Sequence, residues 1–173
     1  GKMIDATLVT AHARPRKKVI IETEPTGDDE QAETPTYDAS EVVVRKSCDP
    51  NADWSARANI CTYGYKAHTV VDSNGIVEGL SVTPANVHDT VMFPALLDKS
   101  PLSEGDTVYA DKGYHSEKNK ELLKQRKLND QIMHKRKRNE PENRQAIERN
   151  KRIAKQRYVV ERTFGSLKRS YGW

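Results

Sequence analysis

Three carboxylates stand where carboxylates are unusual. Asp5 interrupts the apolar, β-branched run Met3–Val9, Asp111 closes the short apolar run Thr107–Ala110, and Glu161 borders the apolar stripe of a long expected helix. On a helix advancing ~100° per residue, Ile153, Val160, Phe164, Leu167 and Tyr171 form that stripe, and Arg157, Glu161 and Lys168 fall together along its edge. Taken alone, Arg157 and Glu161 read as an ordinary surface ion pair, worth a few tenths of a kcal/mol. Taken together, buried or half-buried carboxylates with no obvious cationic mate are best rationalised by hard divalent cations. Such ions take oxygen ligands, and Mg²⁺ binds through few carboxylates while keeping waters. Two ions roughly 3.5 to 4 Å apart stabilise both oxygens of an in-line displacement at phosphorus. A neighbouring basic helix would hold a polyanionic substrate, with Arg157 and Lys168 reaching its phosphates.

Other constellations carry less. His12, His68, His88, His115 and His134 are scattered without the spacing of a zinc site, and Cys48 and Cys61 read as free thiols. His88-Asp89 has the form of a metal-phosphohydrolase dyad, but Asp89 equally suits a helix N-terminus. Lys112 and His115 flank Asp111 and are placed either in solvent or against a nucleic acid. Trp54 and Trp173 could stack on an unpaired base, although packing is the commoner fate of such rings.

The elements that must position the carboxylates follow from the same text. Met3–Val9 reads as a strand, Glu41–Lys46 as another, and Ser47–Ser55 as a stretch of turn formers. Tyr63–Val71 and Ile76–Val82 flank Asp72-Ser-Asn-Gly75 and read as a hairpin. Asn86–Asp98 suits a helix starting near His88 and Asp89, with Pro94 expected to divide it. Thr107–Ala110 is a short strand ending on Asp111, Ser116–Leu128 a helix, and 130–133 a last short strand. Pro141 is expected in a first helical turn, with Glu142–Trp173 as one or two long helices. Strands first and helices last favour a mixed sheet with helices against it, of class α/β or α+β.

With 173 residues, 35% hydrophobic and 31% charged, the chain can bury a core as one domain of ordinary size. No stretch approaches the ~18 to 20 apolar residues of a membrane span. The first ten residues lack signal-peptide character, so a reducing cytoplasm is the expected compartment. Residues 1–110 carry 10 Lys and Arg against 17 Asp and Glu, a balance of −7, and residues 111–173 carry 19 against 8, a balance of +11. The basic half suits a polyanionic partner or a long solvated helix. Residues 22–41 hold eight acidic side chains, none basic and two prolines, the composition of a flexible acidic loop.

The residues around the three carboxylates make the chain resemble the DDE transposases of bacterial insertion sequences. Arg157-x3-Glu161-x6-Lys168 matches that group's third motif within RYVVERTFGSLKRSYGW, IDATLVTAHA around Asp5 resembles the first, and VYADKGYHS around Asp111 the second. YGYKAHTVVD and VTPANVHD are similar to the blocks between them. One departure is Ala154, where many relatives carry a Tyr three residues before the Arg. The resemblance implies a ribonuclease-H-like α/β fold over residues 1–173, with the acidic stretch 22–41 inserted. It also implies that the N-terminal end-binding region and C-terminal tail of relatives are absent. Asp5, Asp111 and Glu161 would be catalytic and hold two Mg²⁺ ions, for which Mn²⁺ could substitute. Arg157, Lys168, Lys112, His115 and Arg162 would contact DNA. The implied activity is hydrolysis of phosphodiesters at transposon ends and transfer of the 3′-OH into target DNA by a homodimer at the bacterial nucleoid. The alternatives are a ribonuclease-H-like nuclease without strand transfer, or a non-catalytic basic DNA-binding protein.

Overall fold

The computed structural model describes residues 1–13, 49–57 and 60–172; the acidic stretch 22–41, the expected strand 41–46, Cys48 and Trp173 lie outside the described residues. Strand β1 (Lys2–Thr10) carries the first carboxylate, and its pleat decides where that carboxylate points. Ile4 packs among Val70, Phe93 and Val108 on one face, while Met3 packs among Val71, Val160 and Phe164 on the other. Asp5, two residues from Met3, shares Met3's face.

Among the described residues, strands β2 (Asp53–Arg57), β3 (Ile60–Val71), β4 (Val77–Pro84), β5 (Thr107–Ala110) and β6 (Asn129–Ile132) join β1 in a six-stranded mixed sheet. β3 pairs antiparallel with β1, β2 and β4, whereas β1, β5 and β6 run parallel. Register sets Asp5 opposite Thr69 and Ile4 opposite Ala110, so the residue after Ala110 emerges beside Asp5. The hairpin turn forms as its composition dictates. Asp72 Oδ1 accepts hydrogen bonds from Asn74 N at 2.9 Å and Ile76 N at 2.8 Å, and Gly75 takes φ +89°. β2 was not expected, because the turn-rich text before it and its own Asp53 and Ser55 mask a strand that, among the described residues, pairs with β3.

Helix α1 (Asp89–Asp98) begins where the sequence places it, with His88 as cap, but Pro94 does not divide it. A proline inside a helix deprives the carbonyl four residues back of its donor. That carbonyl, Thr90 O, receives Asn119 Nδ2 at 3.4 Å from helix α2 (Glu117–Gln125), so the helix continues intact. Helix α3 (Arg144–Tyr171) is one 28-residue helix, not two. Asn143 caps its start by accepting from Gln145 N and Ala146 N, and Gly172 ends it at φ +68°. Pro141 therefore sits two residues ahead of the cap rather than in the first turn.

Two apolar layers hold the sheet. α1 and α2 cover Ile4, Val70, Val108, Ala110 and Ile132 on one face; α3 covers Met3 and Val71 on the other with Val160 and Phe164. Of the expected α3 stripe, Ile153, Val160 and Phe164 are buried and Leu167 packs at the border, but Tyr171 is exposed at the helix end. The position that joins the buried stripe is Arg157.

Candidate active site

Asp5 and Asp111 converge on one guanidinium. Arg157 Nη2 lies 2.6 Å from Asp5 Oδ2, and Arg157 Nη1 lies 3.6 Å from Asp111 Oδ1. Side-chain exposure is 7% for Arg157, 17% for Asp5 and 39% for Asp111, so the pair opens toward solvent on the Asp111 side. Burial pushes the Asp5 carboxyl above its ordinary range. The positive charge of Arg157 and the Ala6 N–H oppose that shift, and the nearby Asp111 charge adds to it. The carboxylates thus do have a cationic mate, a correction to the sequence reading. The helix wheel puts Arg157 at the edge of the stripe, and only the carboxylates across the interface draw it inward.

Glu161 stands one turn further along α3, exposed, with no hydrogen bond or ion pair among the described residues. Among those residues no group of three or more His, Cys, Asp or Glu side chains is placed to hold a metal ion. Arg162 is exposed beside the hairpin turn, where its Nη2 would lie 3.8 Å from a Cβ on Gly75. Lys168 is exposed in the last turn of α3, eleven residues and therefore roughly 16 Å of helix beyond Arg157. Lys112 is exposed and, with His134, Arg136, Glu140 and Asn150, lines a cavity of about 230 Å³. His115 is half-buried, its ring edge-on to His134 at 5.1 Å; burial, then Lys120 and His134, lower its pKa.

The turn that carries Asp111 is held from below by residues to which the sequence assigned no role at the site, except Asp89, read as a helix start or as part of a His-Asp dyad. Asp111 caps a 3-10 turn, Lys112–Tyr114, its Oδ1 accepting from Lys112 N at 2.6 Å. Tyr114 is fully buried with its ring 5.8 Å from Phe93, and Asn119 Nδ2 donates to Tyr114 O at 2.8 Å. A Cβ on Gly113 would come within 2.8 Å of Asp89 Oδ2, so only glycine lets α1 approach this closely. Asp89 is itself fixed by Lys66 Nζ at 3.0 Å, while Lys66 also donates to Val87 O at 2.7 Å. The signal was present in the text: a carboxylate opening one helix and a glycine two residues after Asp111. Trp54 remains 47% exposed with its ring 5.2 Å from Tyr63, and Cys61 is an exposed free thiol.

Acidic residues at the end of one parallel strand and in the middle of its neighbour, with a long helix laid across them, mark the described residues as a mixed α/β domain. The family model for the transposase DDE domain matches residues 3–173, and the chain belongs to that family. The chain is 38% identical over 170 residues to the transposase for insertion sequence element IS1106 of Neisseria meningitidis serogroup B, covering 98% of this chain and 54% of that protein. It is 33% identical over 113 residues to a putative transposase for insertion sequence element IS402 of Burkholderia cepacia, covering 60% of this chain and 49% of that one. The chain spans about half the length of these curated relatives. No solved structure matches. No helix among the described residues is long and apolar enough to cross a membrane.

Proposed function

We propose that residues 1–173 are the catalytic domain of a DNA transposase of ribonuclease-H-like fold, with 22–41 as an insertion. The observation that carries this reading is the meeting of Asp5 and Asp111, more than a hundred residues apart in the chain, on Arg157. Mg²⁺ needs only one or two carboxylates beside its waters, so this pair fits one such ion. Glu161, exposed one turn further along α3, would be the third ligand. Mn²⁺ has the same taste for oxygen ligands. When bound, the metal supplies charge neutralisation at the scissile phosphate and a more acidic water.

The chain's own residues bind and orient. Asp5 and Asp111 face the reacting phosphate, and the packing of α1 beneath Gly113 keeps Asp111 in place. Exposed Lys112, Arg162 and Lys168, with His115 behind them, meet backbone phosphates of double-stranded DNA. The reaction is hydrolysis at a transposon end, which frees a 3′-OH, and attack of that hydroxyl on a target phosphodiester, whose own bond to the target 3′-oxygen breaks and leaves a 3′-OH on the target strand, in a homodimer that holds two ends in the cytoplasm.

Thermal melts with and without Mg²⁺ or Mn²⁺ test the site, because a ligand that binds only the folded state raises the melting temperature. The rise is expected in the parent chain and lost in Asp5→Asn and Asp111→Asn. A rise that survives both substitutions unchanged overturns the site. Incubation with pre-cleaved end DNA and a plasmid target is expected to give joined products; cut but unjoined DNA overturns strand transfer alone.

A further inference from the structure

The guanidinium of Arg157 occupies the space between the two carboxylates where a cation is needed. It is almost wholly buried, donates to Asp5 at 2.6 Å, sits 3.6 Å from Asp111, and has Met133 Sδ 3.7 Å from its other nitrogen. Its Nε is buried with no hydrogen-bond partner among the described residues, so within them the side chain is held chiefly by the carboxylates and not by a full set of bonds of its own. Two like charges this close, one of them mostly buried, repel unless a positive charge lies between them.

We propose that Arg157 is a built-in substitute cation: it holds Asp5 and Asp111 together in the metal-free protein, and a divalent ion binding at the pair displaces it. This rests on the assignment of Asp5 and Asp111 as metal ligands. A divalent ion set between the two carboxylates would meet the positive charge of Arg157, which already lies on Asp5 Oδ2 and near Asp111 Oδ1, and their repulsion drives the guanidinium out as the ion enters. The arrangement makes metal affinity weaker than the bare carboxylate pair would give, while protecting that pair from collapse or misfolding before the ion arrives. It also gives Arg157 two positions. Once released from Asp5, its long side chain on the face of α3 that carries Glu161 is available to a phosphate oxygen of DNA bound at the site.

The test compares Mn²⁺ and Mg²⁺ binding by calorimetry and thermal melting, without DNA, in the parent chain, Arg157→Gln, Arg157→Lys and Asp111→Asn. Arg157→Gln is expected to melt lower without metal yet bind Mn²⁺ roughly tenfold tighter, the scale of one charge-assisted hydrogen bond that no longer has to be broken. Its metal-induced rise in melting temperature is then larger than the parent's. Arg157→Lys, which keeps a charge but loses the fork, is expected to fold and to bind with intermediate affinity. Affinity unchanged or weakened in both Arg157 variants, while Asp111→Asn abolishes binding, overturns the displacement and leaves the metal site standing. Binding by none of the proteins, or binding untouched in Asp111→Asn, overturns the metal site and the displacement with it.

Discussion

A carboxylate inside an apolar strand is a legible signal, because such a position costs stability unless something compensates it. Asp5 and Asp111 were visible in the sequence on that ground. The compensation was not, since Arg157 lies at the margin of its helical stripe and its inward turn depends on partners far away in the chain. Asp111 is the more open of the two acids and stands 3.6 Å from the guanidinium, so neutralising it removes its attraction to Arg157 and its repulsion of Asp5 together, two effects that largely offset. Asp111→Asn is therefore expected to leave metal-free stability within about 0.5 kcal/mol of the parent by urea denaturation, while removing the metal-dependent rise. His68 is a different case. It is fully buried beside Asp89 and Lys66, its Nε2 meets Thr83 Oγ1 at 3.0 Å, and burial lowers its pKa from 6.5 to about 4. A depressed histidine is neutral in the folded chain and takes its proton on unfolding. Its contribution is thus present above pH 6.5 and lost as pH falls toward 4, by up to about 3 kcal/mol. Denaturation curves at pH 7.5 and 5 should show this loss in the parent, and His68→Gln should show distinctly less of it.

Elements here are fixed by contacts that propensity alone does not disclose. The short edge strand β2 escaped the sequence because its neighbours are turn formers, and α1 was expected to break because Pro94 withdraws a hydrogen bond. The bond is replaced from another element: Asn119 Nδ2 serves both Thr90 O in α1 and Tyr114 O in the turn after Asp111. One buried amide thereby ties α1, α2 and the Asp111 turn together. Asn119→Ala leaves two carbonyls without that donor and is expected to cost about 2 to 3 kcal/mol. Pro94→Ala restores an N–H for Thr90 O, so the double variant should recover part of the loss, a coupling measurable in a double-mutant cycle. Additive effects would mean that Asn119 does not stand in for the missing helical bond. Gly113→Ala tests the other contact on the same turn. Its Cβ would press on Asp89 Oδ2, which Lys66 holds in place, and overpacking of this kind costs about 1 to 3 kcal/mol. The metal-dependent rise in melting temperature should shrink as well, because the turn that moves carries Asp111; a rise of full size would show that the turn tolerates the displacement.

At the scale of the molecule, the class of fold was legible because a run of strands comes first and helices then alternate with short strands. The membership of the DDE family was legible because three motifs stand in order. What the text could not convey is how the basic half is distributed. α3 is a single helix whose exposed Lys151, Arg152, Lys155, Arg162, Lys168 and Arg169 extend its positive charge past the acid pair to the helix end, while Arg157 is withdrawn from that surface. Charge spread along a rod of this length suits a duplex backbone better than a compact ligand. Contacts of this type position DNA without reading it, so loss of one lysine should weaken binding to unrelated sequences alike. Lys168→Ala is expected to reduce affinity for any duplex and to lower the slope of log K against log salt by roughly one unit, as one fewer counterion is released. Arg157→Gln is expected to leave the metal-free slope unchanged, since its charge already faces Asp5. Titrations of labelled duplexes of two unrelated sequences over a range of salt concentrations separate the two residues. A slope that falls equally for both would place Arg157 on the DNA-facing surface and contradict its burial against the carboxylates.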